Sequence, residues 1–188
     1  MPTLYVVAGP NGCGKSTLTR TVWRGEVEII DPDAIALRLP DGPGQAAREA
    51  ARRRRAALRA DRAHLLETTL AGSGVLRHMD TARMARYRIE LHYMCLESPD
   101  LALCRIRNRV ALGGHDVPEP DARRRFARSR ANLPAAVALA DAVRLYDNTD
   151  HDRPHREVAV HAEASWWTAK QLPTWADAAI ARVTTLSP

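Results

Sequence analysis

The chain is short of several things, and each shortage narrows its reading. Across 188 residues no apolar run approaches the roughly 20 needed to cross a membrane. No basic n-region or small-residue cleavage site opens the sequence, so no secretory signal is expected and a cytoplasmic location is. The three cysteines, Cys13, Cys95 and Cys104, are odd in number and lack the spacing of metal ligands. That argues against a disulfide framework and a zinc site. Lysine is nearly missing: Lys15 and Lys170 are the whole complement, and arginine supplies the other cations behind a net charge of +6. Arginine forks suit phosphate and carboxylate oxygens, so anionic partners are favoured. A basic chain also fits nucleic acid. The run Arg52 to Arg55, however, has no interleaved aromatic residues of the kind a stacking platform uses, and reads as a solvated helix face. No repeat, long linker or low-complexity tail divides the chain, so residues 1–188 read as one domain, 45% hydrophobic.

What is present begins with VVAGPNGCGKST, residues 6–17. It holds G-x-x-x-x-G-K-S, with Gly9, Pro10, Asn11, Gly12, Cys13 and Gly14 ahead of Lys15, Ser16 and Thr17. Glycines let successive backbone N–H groups curl around an anion, and the helix that follows directs its positive end at the same place. In this motif the lysine reaches the β- and γ-phosphates and the serine hydroxyl serves Mg²⁺. ATP and Mg²⁺ are therefore the expected cofactors. Cys13, beside Lys15 and a helix N-terminus, is expected to have a lowered pKa and an alkylation that ATP blocks.

The periodicities alternate. Strands are expected at 3–8, 27–30, 64–68, 88–96 and 142–146, with an edge strand at 157–162. Helices are expected at 15–24, 33–39, 45–62, 75–86, 99–112, 119–131 with an extension to 140, and 173–183; residues 40–45 read as a loop. This is an α/β chain of the P-loop type, with a mainly parallel sheet of five to six strands and helices on both faces. Trp166, Trp167 and Trp175 read as the packing face of a terminal element.

No apolar strand ends in the aspartate and water-orienting residue of a motor or switch NTPase. Instead carboxylates fall at strand ends, Asp33 just after the second strand and Glu67 on the third, at the ligand edge of such a sheet. There they can hold Mg²⁺ or take a proton from an acceptor hydroxyl. Further on, Arg105, Arg107 and Arg109 lie on one helix, and Arg123, Arg124, Arg125, Arg128 and Arg130 on the next, joined at Gly113-Gly114. Residues 105–131 read as a lid over phosphates. Helical spacing puts Arg105 with Arg109 and Arg124 with Arg128. The cluster His151, Asp152 and His155 reads as a surface loop.

Together, AGPNGCGKST, IIDPDAIA, LLETTLAG, RIRNRVALGGHDVPE, RRRFARSRANL and LYDN resemble the zeta toxin family of P-loop kinases, and especially its short, single-domain members. The blocks occur in family order across residues 4–148. The resemblance implies an ATP-dependent kinase that phosphorylates a sugar hydroxyl of UDP-N-acetylglucosamine and is restrained by a small antitoxin protein. It implies Asp33 as catalytic base; the motif and the strand-end position make Ser16 and Asp33 the expected metal-side residues. The resemblance places Glu67 and Thr69 on the substrate, Arg109 on the phosphates, and Asp147 and Asn148 beside the adenine; Thr68, between the first two, is expected at the substrate with them. Where larger members have a second catalytic arginine this chain has His115, so that cation is expected from His115, as a lid donor to phosphate, or from Arg124 or Arg128. Other acceptors, an antibiotic, a metabolite or an RNA end, stay open, and so does a catalytically inactive ATP-binding relative that works by partner binding.

Overall fold

The computed structural model describes residues 1–23, 25, 27–39, 43–114, 116–163 and 165–184. At its centre is β1 (Thr3–Ala8), whose TLYVVA sequence is buried on both sides, as a middle strand requires. To one side lie β3 (His64–Thr68) and then β2 (Glu28–Ile30). To the other lie β4 (Arg88–Cys95), β5 (Ala142–Asp147), β6 (Arg156–Ala162) and β7 (Ser165–Thr168). The order is β2-β3-β1-β4-β5-β6-β7; the first five strands are parallel and the last two antiparallel.

The sheet therefore has seven strands, one more than expected. The extra one, β7, is four residues long and mostly exposed, so it carries no buried run for periodicity to find. Trp166 and Trp167 belong to it; Trp166 packs against the core as expected, and Trp167 does not. Trp167 is exposed, Trp166 lies against His161 with ring centroids 4.9 Å apart, and Trp175 alone of the three is buried, 5.7 Å from the Tyr93 ring.

The helices are α1 (Lys15–Val22), α2 (Pro32–Ala36), α3 (Pro43–Arg59), α4 (Ser73–Met84), α5 (Pro99–Ala111), α6 (Glu119–Leu139) and α7 (Thr174–Thr184). Pro32 and Pro99 stand in first turns, where the missing N–H costs nothing. Asp31 caps α2 through Asp33 N–H, and Ser98 caps α5 through Leu101 N–H. Helix α6 is one unbroken element where two were expected, although Pro134 lies inside it; the proline is buried in a face with Phe126, Ser129, Leu133 and Val137, and that packing holds the helix across it. Right-handed crossovers put α1, which leads outward from β1 to β2, and α4, which leads back from β3 to β4, on opposite faces of the sheet. No helix among the described residues is long and apolar enough to cross a membrane.

All five parallel strands point the same way, so the segments after β1, β2, β3 and β4 gather at one edge. That edge carries the loop 9–14, Asp31 and Asp33, Glu67 to Thr69, and the start of α5.

Candidate active site

The segment between β1 and α1 folds tightly because its glycines allow it. Gly9 (φ +143°) passes so close to the Met94 carbonyl that any Cβ there would collide with it. At Gly12 (φ +77°) a Cβ would lie 2.6 Å from the Ala102 carbonyl oxygen. Substitution at either is blocked both by conformation and by space. The loop is tied down from outside: Gly9 N–H donates to the Thr68 carbonyl at 3.2 Å, and Asn148 Nδ2 donates to the Cys13 carbonyl at 2.8 Å. Lys15, nearly buried, donates its ammonium to the Pro10 carbonyl at 2.9 Å, which holds the cation inside the curl of the loop.

Behind the loop stands Glu67. Strand β3 pairs in register with β1, Val7 opposite Glu67, so the carboxylate emerges beside the start of α1. There it accepts from Ser16 Oγ at 2.5 Å and from Thr19 Oγ1 at 2.9 Å, and it is 5% exposed. This is a buried carboxylate held by two hydroxyls at a strand end, next to the serine that the motif assigns to the metal. Oxygen ligands of this kind suit a hard cation. Asn11 Oδ1, buried in the loop without a hydrogen-bond partner, and the curled backbone around Lys15 fit a nucleotide phosphate chain as well.

Two small cavities meet at Lys15, Asp33 and Glu67. One, about 180 Å³, runs along the loop and α1 and is lined also by Arg20, Arg105 and Arg109. The other, about 110 Å³, is lined also by Asp31, Thr68, Thr69 and Arg125. Asp33 is exposed, and it faces both. Asp31 is half-buried, and burial, with the charge of Glu67 second, pushes its carboxyl up to about 6.

Several expected placements change. Arg105 and Arg109 share the loop cavity, while Arg107 points away and pairs with Glu119 at 3.1 Å. On α6 it is Arg125 that reaches the Asp33 cavity. Arg124 pairs with Asp121 at 2.8 Å, and both Arg124 and Arg128 are exposed and line neither cavity. The reason is helix phase: Ala122, Phe126 and Ser129 set the buried face, and Arg125 flanks it. Asp147 and Asn148 are not open to an adenine. Both are buried; Asp147 accepts from Thr149 and from Arg156, and Asn148 bridges the Cys13 carbonyl and the His155 N–H. Asn148 thereby braces the phosphate loop. Cys13 is fully buried, and burial pushes its thiol up by more than Lys15 pulls it down, so the expected low-pKa thiol is not there. His115 lies outside the described residues.

Three residues were not singled out as site residues in the sequence. Asp31 ends the second strand ahead of Asp33, and its burial is not visible there. Arg125 was hidden among five arginines. His155 sits over the loop, where a Cβ on Gly14 would lie 3.6 Å from its Nε2; burial and Arg105 lower its pKa. Its loop neighbours His151 and Asp152 are fully exposed, and no group of three or more metal-ligating side chains occurs among the described residues.

The fold is found in known structures. A chain of the AvrRxo1-ORF1:AvrRxo1-ORF2 complex with ATP matches with a TM-score of 0.75 at 15% identity, over 97% of this chain and 64% of that one. A chain of the PezAT chromosomal toxin-antitoxin system of Streptococcus pneumoniae matches with 0.62 at 16% identity, over 99% and 87%. One from the Pnkp1/Rnl/Hen1 RNA repair complex matches with 0.54 at 17%, over 70% and 45%. The chain thus spans just under two thirds of the AvrRxo1 chain. The fold is that of the zeta-toxin-like P-loop kinases. No family model matches the sequence. A protein of Haemophilus influenzae, described only as uncharacterized, is 34% identical over 124 residues, which cover 63% of this chain and 88% of the relative. The chain belongs to the family of that protein.

Proposed function

We propose that the chain is an ATP-dependent phosphotransferase that moves the γ-phosphoryl group to a hydroxyl of a small cytoplasmic acceptor, with UDP-N-acetylglucosamine or a related sugar nucleotide as the acceptor. The observation that carries this reading is the meeting of two cavities at Asp33: one on the phosphate loop, lined by Lys15 and arginines, and a smaller one lined by Thr68 and Thr69.

The loop N–H groups and Lys15 hold the phosphate chain of ATP. Ser16 and Glu67 are the residues that would hold Mg²⁺, with Asp33 facing the same space; the ion, when bound, neutralises charge on the β- and γ-phosphates. Asp33 accepts the proton of the acceptor hydroxyl as its oxygen bonds to the γ-phosphorus and the bond to the leaving ADP oxygen breaks. Arg105 and Arg109 stabilise the charge that builds on the transferred group. Helices α5 and α6 form the lid, and Arg125 is the second cation in place of Arg124 or Arg128. Thr68 and Thr69 orient the acceptor.

The likeness to the PezAT and AvrRxo1 complexes supports a small protein partner of the antitoxin kind, and the likeness to an RNA repair complex keeps an RNA end as the second acceptor to try. The test is ADP release from ATP across sugar nucleotides, antibiotics and RNA ends, with mass spectrometry of the product. A mass gain of one phosphate on a sugar nucleotide is the expected result. Gain on RNA alone would replace the acceptor, and no gain on any would remove the reading.

A further inference from the structure

The Asp33 cavity is too small for the acceptor it serves. At about 110 Å³ it has room for only a few water-sized groups, whereas sites that bury a small-molecule ligand run to roughly 300–1,000 Å³. Most of the acceptor must lie elsewhere. A cavity of about 450 Å³ adjoins it, with Asp31 and Glu67 in both walls. This larger cavity lies among α1, α2 and α3. Ile29, Ile35 and Leu39 give it an apolar side.

Its cations differ in how they are held. Arg53 is pinned: its guanidinium meets Glu49 at 2.7 Å, and Arg52 grips the same carboxylate. One arginine of the basic run thus faces a cavity and not only solvent. Arg20 and Arg38 also line the cavity, and neither guanidinium has a hydrogen bond or ion pair with any described residue. Arg20 lines the loop cavity too, so it stands between the phosphates and this space. Two unengaged guanidinium forks beside an apolar wall match a ligand with a flat or apolar body and an anionic group.

We propose that the cavity between α1, α2 and α3 binds the body of the acceptor, and that Arg20 and Arg38 select one that carries a phosphate or carboxylate group. The acceptor role rests on the phosphotransferase reading above; the binding site does not. On this account Asp33 meets the hydroxyl, Asp31 forms the threshold between the two cavities, and the anion sits on the far side, against α2.

Calorimetric titration of the full chain tests this, with Mg²⁺ and a non-hydrolysable ATP analogue saturating the loop so that probes cannot bind there. The probes are UMP and UDP-N-acetylglucosamine against their uncharged counterparts uridine and N-acetylglucosamine. The phosphorylated pair should bind at least about tenfold tighter than the uncharged pair, and Arg38→Ala should weaken the phosphorylated pair by about 10- to 100-fold, as expected for a lost charged hydrogen bond. Arg38→Lys should restore part of that. Arg38 is exposed, so its substitution leaves the fold intact; Leu39→Trp, which fills the cavity, should block both phosphorylated probes. Failure of both phosphorylated probes to bind wild type, equal affinity for the uncharged pair, or unchanged affinity in Arg38→Ala would overturn the proposal. Binding that depends on Arg38 without any ADP release in the presence of ATP would instead remove the phosphotransfer reading and leave the site standing.

Discussion

The two halves of the site are built in opposite ways. On the donor side nearly every polar group already has a partner inside the protein. Glu67 holds Ser16 and Thr19, Asn148 holds Cys13, and Thr68 holds Gly9. On the acceptor side Asp33 is exposed, and Arg20 and Arg38 are unengaged. Preorganised dipoles suit a charge that is always in the same place, such as a triphosphate. Unengaged groups suit a ligand that supplies its own partners. The donor half is therefore where stability and ATP affinity should fail together, and the acceptor half is where catalysis should fail with the fold intact.

The largest separation between these outcomes should come from Asp33→Asn. Phosphotransfer should fall by about 10²- to 10⁴-fold, the usual contribution of a general base, while ATP affinity and melting temperature stay near wild type. Glu67→Gln should break the comparison on the donor side. It leaves the buried Thr19 hydroxyl and the Ser16 hydroxyl with a poorer acceptor, so it should cost about 1–3 kcal/mol in denaturant unfolding and weaken Mg²⁺-dependent ATP binding as well. Asn148→Ala should do less of the same kind, about 1–2 kcal/mol with several-fold weaker ATP binding, because it frees the Cys13 carbonyl and the His155 N–H.

Asp31 gives a pH signature. Its carboxyl titrates at about 6 in the folded chain against 3.8 as its ordinary value. The folded state then binds the proton more tightly, so this group favours folding as pH drops from above 6 toward 4, and ionised Asp31 disfavours it at pH 7 and above. Asp31→Asn keeps an oxygen for Asp33 N–H. It should raise the melting temperature at pH 7–8, with the gain shrinking below pH 5. A gain that grew toward acid would contradict the assignment. The smallest effect should be that of Arg124→Ala and Arg128→Ala, each within about twofold of wild-type turnover, since exposed surface substitutions rarely matter. Arg125→Ala should lose turnover visibly beside them.

The donor half was largely legible in the sequence because it is local. Strands 3–8 and 64–68 fall where alternation and β-branching put them, and the loop is a contiguous motif. The pairing of Arg105 with Arg109 followed from helix geometry alone. What was missed depends on contacts across the chain. Asn148 reaches a carbonyl 135 residues away, and nothing near it in sequence separates a brace from a nucleotide contact. The choice of Arg125 over Arg124 and Arg128 depends on how α6 rotates against the sheet, which its closely spaced arginines do not record. Cys13 shows the same limit in its chemistry: the neighbouring lysine is visible in the sequence, and the burial that outweighs it is not.

The central claim is that Asp33 joins a donor site to an acceptor site. It is tested most directly by measuring ATP binding and acceptor-dependent ADP release in parallel for wild type and Asp33→Asn, with UDP-N-acetylglucosamine as the acceptor. The expected result is equal ATP affinity and release only in wild type. Equal release in both proteins would contradict it.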